Sequence, residues 1–295
     1  MSDKLTKHIL QLNVETEEMG AAFSPDLTRI LTAVDRTVSL WDVQTGDALR
    51  TFEGHTGPVG ALVWSRDQQH VLTGAHNGGI RLWDANAGRC IRELKGHRDY
   101  VRSLEFGADG RSALSGSGDC TMRLWDLETG KCLRVFSGHA DGVYHATFDS
   151  GERRILSGSR DSTVRLWDLE TGKCQRVMEG HTYHVQCIAW AADQRRALSC
   201  AHDVRLWDVE TGDCLRVFEY HTDTIRTIQW SADQHRALSA SHDRTVRLGD
   251  VDTGRCLQLL DGHAVGVVSA AFSADYRRAI SCDWSGGIRV WDLVQ

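Results

Sequence analysis

Trp-Asp recurs at Trp41-Asp42, Trp83-Asp84, Trp125-Asp126, Trp167-Asp168, Trp207-Asp208 and Trp291-Asp292, and Gly249-Asp250 fills the one gap in the series. Successive steps are 42, 42, 42, 40, 42 and 42 residues. A fixed period of this size marks an array of small supersecondary units, each unable to bury its apolar faces alone. The repeats end near Asp42, Asp84, Asp126, Asp168, Asp208, Asp250 and Asp292, and no Pro/Gly/Ser-rich break separates them. Residues 1–295 therefore read as a single domain.

One unit, Gly138 to Lys173, shows what is repeated. Val143 to Phe148 is a β-branched and aromatic run ended by the turn cluster Asp149-Ser150-Gly151. Arg154 to Ser159 reads as a second strand, Asp161-Ser162-Thr163 as a tight turn and Val164 to Asp168 as a third strand. Gly172 suits a turn residue with positive φ, and Cys174 to Met178 makes a fourth strand. Leu166 beside Trp167, and Val177 beside Met178, put apolar side chains on both faces of the sheet, so both faces must be covered. Radial stacking of such sheets gives a β-propeller.

Gly-His, a Ser-Gly-Ser strand, a turn Asp and a terminal Trp-Asp together resemble the WD40-repeat family, in register over essentially residues 7–295. The resemblance implies an all-β chain forming a seven-bladed β-propeller of four-stranded antiparallel blades. The last unit stops just after its third strand, at Asp292 to Gln295, while Lys7 to Leu12 has strand character. By family precedent, that N-terminal strand completes the last blade and closes the ring.

The resemblance also implies a His, Ser, Asp and Trp hydrogen-bonded in series within each blade. His97, Ser115, Asp119 and Trp125 match in one blade, and His139, Ser157, Asp161 and Trp167 in the next. A Ser-His-Asp set invites a catalytic reading. Its repetition, and its ending on an indole that can only donate, assign it to the scaffold. Other blades depart from the pattern: Val14 stands for His in blade 1, Asn77 for Asp in blade 2 and Ser285 for Asp in blade 7. Asp203 lies only four residues before Trp207 in the shortened blade 5. In blade 6, Gly249 replaces the Trp, so Asp243 loses an indole partner and a void opens unless a neighbour or water fills it or a ligand binds there. Read as drift, that gap makes Gly249→Trp stabilising.

Composition sets the remaining bounds. No run of 18 apolar residues occurs, and Met1 to Leu5 lacks the features of a signal peptide, so a cytoplasmic protein with no membrane partner is expected. A net charge of −6 gives no global attraction to nucleic acid. Five of nine cysteines, Cys90, Cys132, Cys174, Cys214 and Cys256, share one repeat position and read as packing residues. Cys200 and Cys282 share another. There is no CxxC, Walker-type loop, HExxH or GxSxG, so no catalytic residue, metal or cofactor is assigned.

Function is then expected on the face where the loop before each first strand meets the turn carrying the Asp. Residues flanking the early Val of the first strand give Tyr100, Arg102, Tyr144, His184, Gln186, Thr224 and Arg226, with Glu17 and Met19 from blade 1. The residue before the turn Asp gives His76, Arg160, His202, His242 and Trp284. These positions vary while the scaffold around them repeats, and Arg, Tyr and Trp are frequent interface anchors. Arg81, Arg123, Arg165, Arg205, Arg247 and Arg289, two before each Trp position, belong instead to the scaffold. The expectation is a monomeric, non-enzymatic scaffold that binds a protein or peptide of acidic character. The alternatives are a small-molecule or enzymatic site at the central channel, or nucleic-acid binding through the Arg/His rim.

Overall fold

The computed structural model describes residues 7–11 and 20–294. Leu166 and Trp167 show how the two apolar faces of a strand are covered. Leu166 packs on the following sheet with Val185 and Ile188, and Trp167 on the preceding one with Leu114 and Phe136. Stacking of this kind runs through the whole chain.

Among the described residues, all regular structure is β, in seven four-stranded antiparallel sheets. Blades 1 to 6 take four consecutive strands each, within residues 20–52, 59–94, 101–137, 143–178, 187–218 and 225–261. Blade 7 joins Val267–Phe272, Arg278–Asp283 and Gly287–Asp292 to the N-terminal strand Lys7–Gln11. That strand pairs with Gly287–Asp292, Lys7 opposite Val290 and Gln11 opposite Gly287. One apolar cluster fills each interface between neighbouring blades. The cluster between the last blade and the first, with Ile280, Cys282 and Ile288 against Ile30 and Val43, closes the circle of packing.

Burial grades outward through each blade. The second strand is the most enclosed, with Ile155, Leu156, Ser157 and Ser159 inaccessible to solvent. The fourth, Cys174–Met178, exposes all but its last residue. This overturns the reading of the repeated cysteines as packing residues: Cys90, Cys174, Cys214 and Cys256 are exposed and Cys132 is half-buried. They sit on the outermost strand, beyond the faces that the neighbouring blades cover.

The Asp of Trp-Asp builds the next turn. Asp168 Oδ1 accepts the Thr171 N–H and hydroxyl, both at 2.7 Å, and Gly172 follows at φ +74°. Blade 5 differs because its Asp turn is two residues shorter. Its first strand starts late, at Cys187–Trp190, with Cys187 directly opposite Cys200. Val14, Glu17 and Met19 lie outside the described residues.

Candidate functional site

The repeated polar series is fully formed in blades 3 and 4. His97 Nδ1 lies 2.8 Å from Asp119 Oδ2 and its Nε2 2.7 Å from Ser115 Oγ, which accepts the Trp125 indole N–H at 2.8 Å. His139, Asp161, Ser157 and Trp167 repeat this at 2.8, 2.7 and 2.8 Å. Nδ1–H donating to the carboxylate leaves Nε2 to accept the Ser O–H, so every member is satisfied. Burial alone would raise the Asp119 and Asp161 carboxyls, but bonds from the His ring and from Thr121 or Thr163 hold both well below the ordinary range. Ser115 and Ser157 are wholly buried. Their hydroxyls serve as internal junctions of a blade.

Three departures resolve differently from the sequence reading. In blade 5, Asp203 still meets His181 Nδ1, at 2.6 Å, across the shortened turn. In blade 7 the Asp role is not lost to Ser285, because Asp283, two residues earlier, takes the His263 Nδ1 bond at 2.7 Å. Ser285 instead donates its hydroxyl to Asp283 at 2.7 Å.

In blade 6 the space beside Gly249 is occupied. Tyr220 fills the place of the missing indole, its hydroxyl 2.7 Å from where a Cβ on Gly249 would sit. Nor does Asp243 lose a partner: the indole elsewhere bonds the Ser, and Asp243 keeps His221 Nδ1 at 2.7 Å. Tyr220 stands where other blades have the Gly of Gly-His. In those blades the Trp ring comes 3.1 to 3.8 Å from a Cβ built on that Gly, at Gly54, Gly96, Gly138, Gly180 and Gly262. Gly and Trp have thus been exchanged for Tyr and Gly, conserving the filled space. The expectation that Gly249→Trp stabilises is overturned for this reason.

The variable positions separate into two layers. Arg102, Tyr144, Gln186 and Arg226 project into the central channel, where with Gly20, Gly60 and Val268 they line a cavity of about 170 Å³ reached from all seven blades. The Arg102 guanidinium lies 5.4 Å from the centre of the Tyr144 ring, and Arg226 donates to Gln186 Oε1 at 3.3 Å. Burial, then the neighbouring Arg102, pull Arg226 down to about 9. No carboxylate forms an ion pair with Arg102 or Arg226 among the described residues.

Above the channel the remaining residues, joined by Tyr144 from the channel wall, form an aromatic arc. His76 packs on Tyr100 at 6.2 Å, Tyr100 on Tyr144 at 6.3 Å, and Tyr144 edge-on to His184 at 5.9 Å. Further round, His242 packs on Trp284 at 4.3 Å. Burial, then Arg226, drive the His242 imidazole down to about 4, so it is neutral at pH 7. The two sets of positions meet through backbone bonds, such as His242 N–H to Thr224 C=O at 2.9 Å. Tyr100 occupies the pre-Asp place of its own blade: a Cβ on Gly118 would lie 2.4 Å from its ring.

Arg160 is not a free charge, since Asp141 lies 3.6 Å from it. One member was missed altogether. Tyr183, 53% exposed, stacks on His202 at 3.9 Å and 7°, and His202 Nε2 lies 3.0 Å from Thr224 Oγ1. The late start of the blade 5 strand puts Tyr183 there, one residue ahead of the position the other blades use. Two of the scaffold arginines behave as expected, Arg81 and Arg123 lying over their own Trp rings at 5.8 and 5.9 Å.

Among the described residues no group of three or more His, Cys, Asp or Glu could hold a metal ion, and no helix is long and apolar enough to cross a membrane. The family model described as WD domain, G-beta repeat matches residues 12–42, 46–84, 88–126, 130–168, 172–208, 212–250 and 254–292. No curated protein matches the chain.

Proposed function

Because the chain belongs to the WD40-repeat family, whose propellers generally serve as protein-interaction scaffolds, we propose that it binds a protein or peptide across the face carrying Tyr100, Tyr144, Tyr183, His202, His242 and Trp284, without catalysing a reaction. The observation that carries this reading is the aromatic arc. Outer-strand leucines such as Leu133, Leu215 and Leu259 are as exposed as Tyr183, but they recur around the girdle and distinguish no direction. The arc differs from blade to blade, and large rigid rings bury much area at low entropic cost.

An acidic contact on the partner suits the mouth of the channel. Arg160 already has Asp141, and Arg226 is bonded to Gln186, which leaves Arg102 as the cation a partner carboxylate meets. A monomeric, cytoplasmic propeller is the simplest setting for this role. The test is affinity capture from native lysate by the wild type and by Tyr183→Ala/Trp284→Ala. Partners held by the wild type and lost by a variant of unchanged melting support the reading; identical recovery refutes it.

A further inference from the structure

Arg226 and Cys187 each look unexplained alone. Arg226 is half-buried and forms no ion pair with a described carboxylate, and after Arg102 its electrostatic neighbours include Cys200, Tyr144 and Cys187. Cys187 and His145 line the channel cavity, and the His145 Nδ1 is buried with no hydrogen-bond partner. Cys187 faces Cys200 across the first and second strands of blade 5. Directly opposed residues of an antiparallel pair have Cα atoms about 4.5–5.5 Å apart, inside the range of about 4.4–6.8 Å that a disulfide spans.

From this juxtaposition we propose that Cys187 is a thiol-modification site opening onto the central channel, where hydrogen peroxide reacts and from which oxidation passes to Cys200. The groups facing the Cys187 sulfur are Cys200, His145 and, more distantly, Arg226, with Glu105 behind His145. The neighbouring Cys200 thiol, which itself donates to the Ile225 carbonyl at 3.5 Å, outweighs burial, and His145 adds to its effect, so the Cys187 thiol lies well below its ordinary range. Cys200 is pushed up by burial and by Cys187. Burial raises the Glu105 carboxyl, which accepts the Phe148 N–H at 2.9 Å. Reactive thiols occupy partly exposed, electropositive sites, whereas buried apolar ones are inert. Cys282, at the repeat position of Cys200, is of the second kind, its thiol driven up by burial and by Asp283.

With hydrogen peroxide, the Cys187 thiolate attacks one oxygen, the O–O bond breaks and the other oxygen leaves as hydroxide, which takes up the proton the Cys187 thiol released and forms water. The sulfur, oxidised by two electrons, is then a sulfenic acid. Cys200 attacks that sulfur, the S–O bond breaks, and the departing hydroxide takes the Cys200 proton. Two thiols and one peroxide become one disulfide and two waters.

The test is limited labelling of the native protein with iodoacetamide at about pH 6, where an ordinary thiol is only roughly 0.3% ionised. Alkylation of each cysteine is followed by peptide mass spectrometry. Cys187 is expected to label about tenfold faster than the exposed Cys90, Cys174, Cys214 and Cys256. Peroxide should give a Cys187–Cys200 cross-linked peptide in the wild type and a dimedone-trapped Cys187 in Cys200→Ser. Arg226→Gln should move the Cys187 labelling profile toward alkaline pH. Labelling in order of exposure, or peroxide that links only outer cysteines of different molecules, overturns the proposal.

Discussion

Tyr220 and Gly249 make the sharpest claim about packing, because neither can be changed alone. A Cβ on Gly249 would sit 2.7 Å from the Tyr220 hydroxyl and 3.2 Å from its ring. That hydroxyl is buried, faces Ser239 and makes no well-formed hydrogen bond. Gly249→Trp must therefore displace Tyr220, an overpacking loss of about 1–3 kcal/mol or more. Tyr220→Gly removes a ring packed on the interface of blades 5 and 6, worth roughly 3–5 kcal/mol. Independent effects would sum to about 4–8 kcal/mol. In the double variant, however, the indole enters the vacated space and donates to Ser239 Oγ, as Trp207 does to Ser199 at 2.7 Å. Gly249 is outside the left-handed region, so its backbone accepts a side chain. The double variant should lie within about 1 kcal/mol of wild type, a coupling of at least about 3 kcal/mol in urea denaturation of all four proteins. Additive losses, or stabilisation by Gly249→Trp alone, would refute the exchange.

Three further outcomes follow from the same geometry. His55 has no carboxylate at its Nδ1, since Asn77 stands at the Asp position, and burial lowers it to about 4 from 6.5. A folded value below the unfolded one means that stability is lost as pH falls from about 6.5 to 4, by roughly 2–3 kcal/mol. Asn77→Asp should flatten that slope in denaturation curves taken between those pH values, leaving pH 7 stability equal or higher; an unchanged slope would count against the assignment. The carboxyls of Asp119, Asp161 and Asp243 are held low, so their stabilisation persists above about pH 4 and is lost below it; replacing Asp161 with Asn should cost about 1–3 kcal/mol at pH 7 and less at pH 3. Deletion of residues 1–12 removes the strand paired with Gly287–Asp292 and should cause aggregation or loss of a cooperative melt, whereas a monomer with unchanged melting would contradict a structural role for that pairing.

Much of this architecture was legible because each repeat restates the same physics. The strands Val143–Phe148, Arg154–Ser159, Val164–Asp168 and Cys174–Met178 fall where the β-branched runs and turn clusters put them. What escaped was compensation between distant positions. Tyr220 was visible as the break in the Gly-His series, but its meaning needs the 2.7 Å approach to Gly249. Asp283 was hidden because it sits two residues before the register position that Ser285 holds. The face was read as one rim because strand alternation does not tell which of two flanking residues points down the channel. Arg102, Gln186 and Arg226 do, and Tyr100 and Thr224 do not. Tyr183 was missed because a shortened turn in blade 5 shifts the start of a strand on the other side of the pairing.

The central claim is that function lies on the blade-specific face rather than on the repeated girdle. Hydrogen–deuterium exchange of the propeller, alone and with a partner recovered by capture, tests it most directly. Protection is predicted in the loops bearing Tyr100, Tyr183, His202, His242 and Trp284, with the outer strands Cys132–Ser137, Cys214–Phe218 and Cys256–Asp261 unchanged. Protection of those outer strands, with the face still exchanging freely, would contradict it.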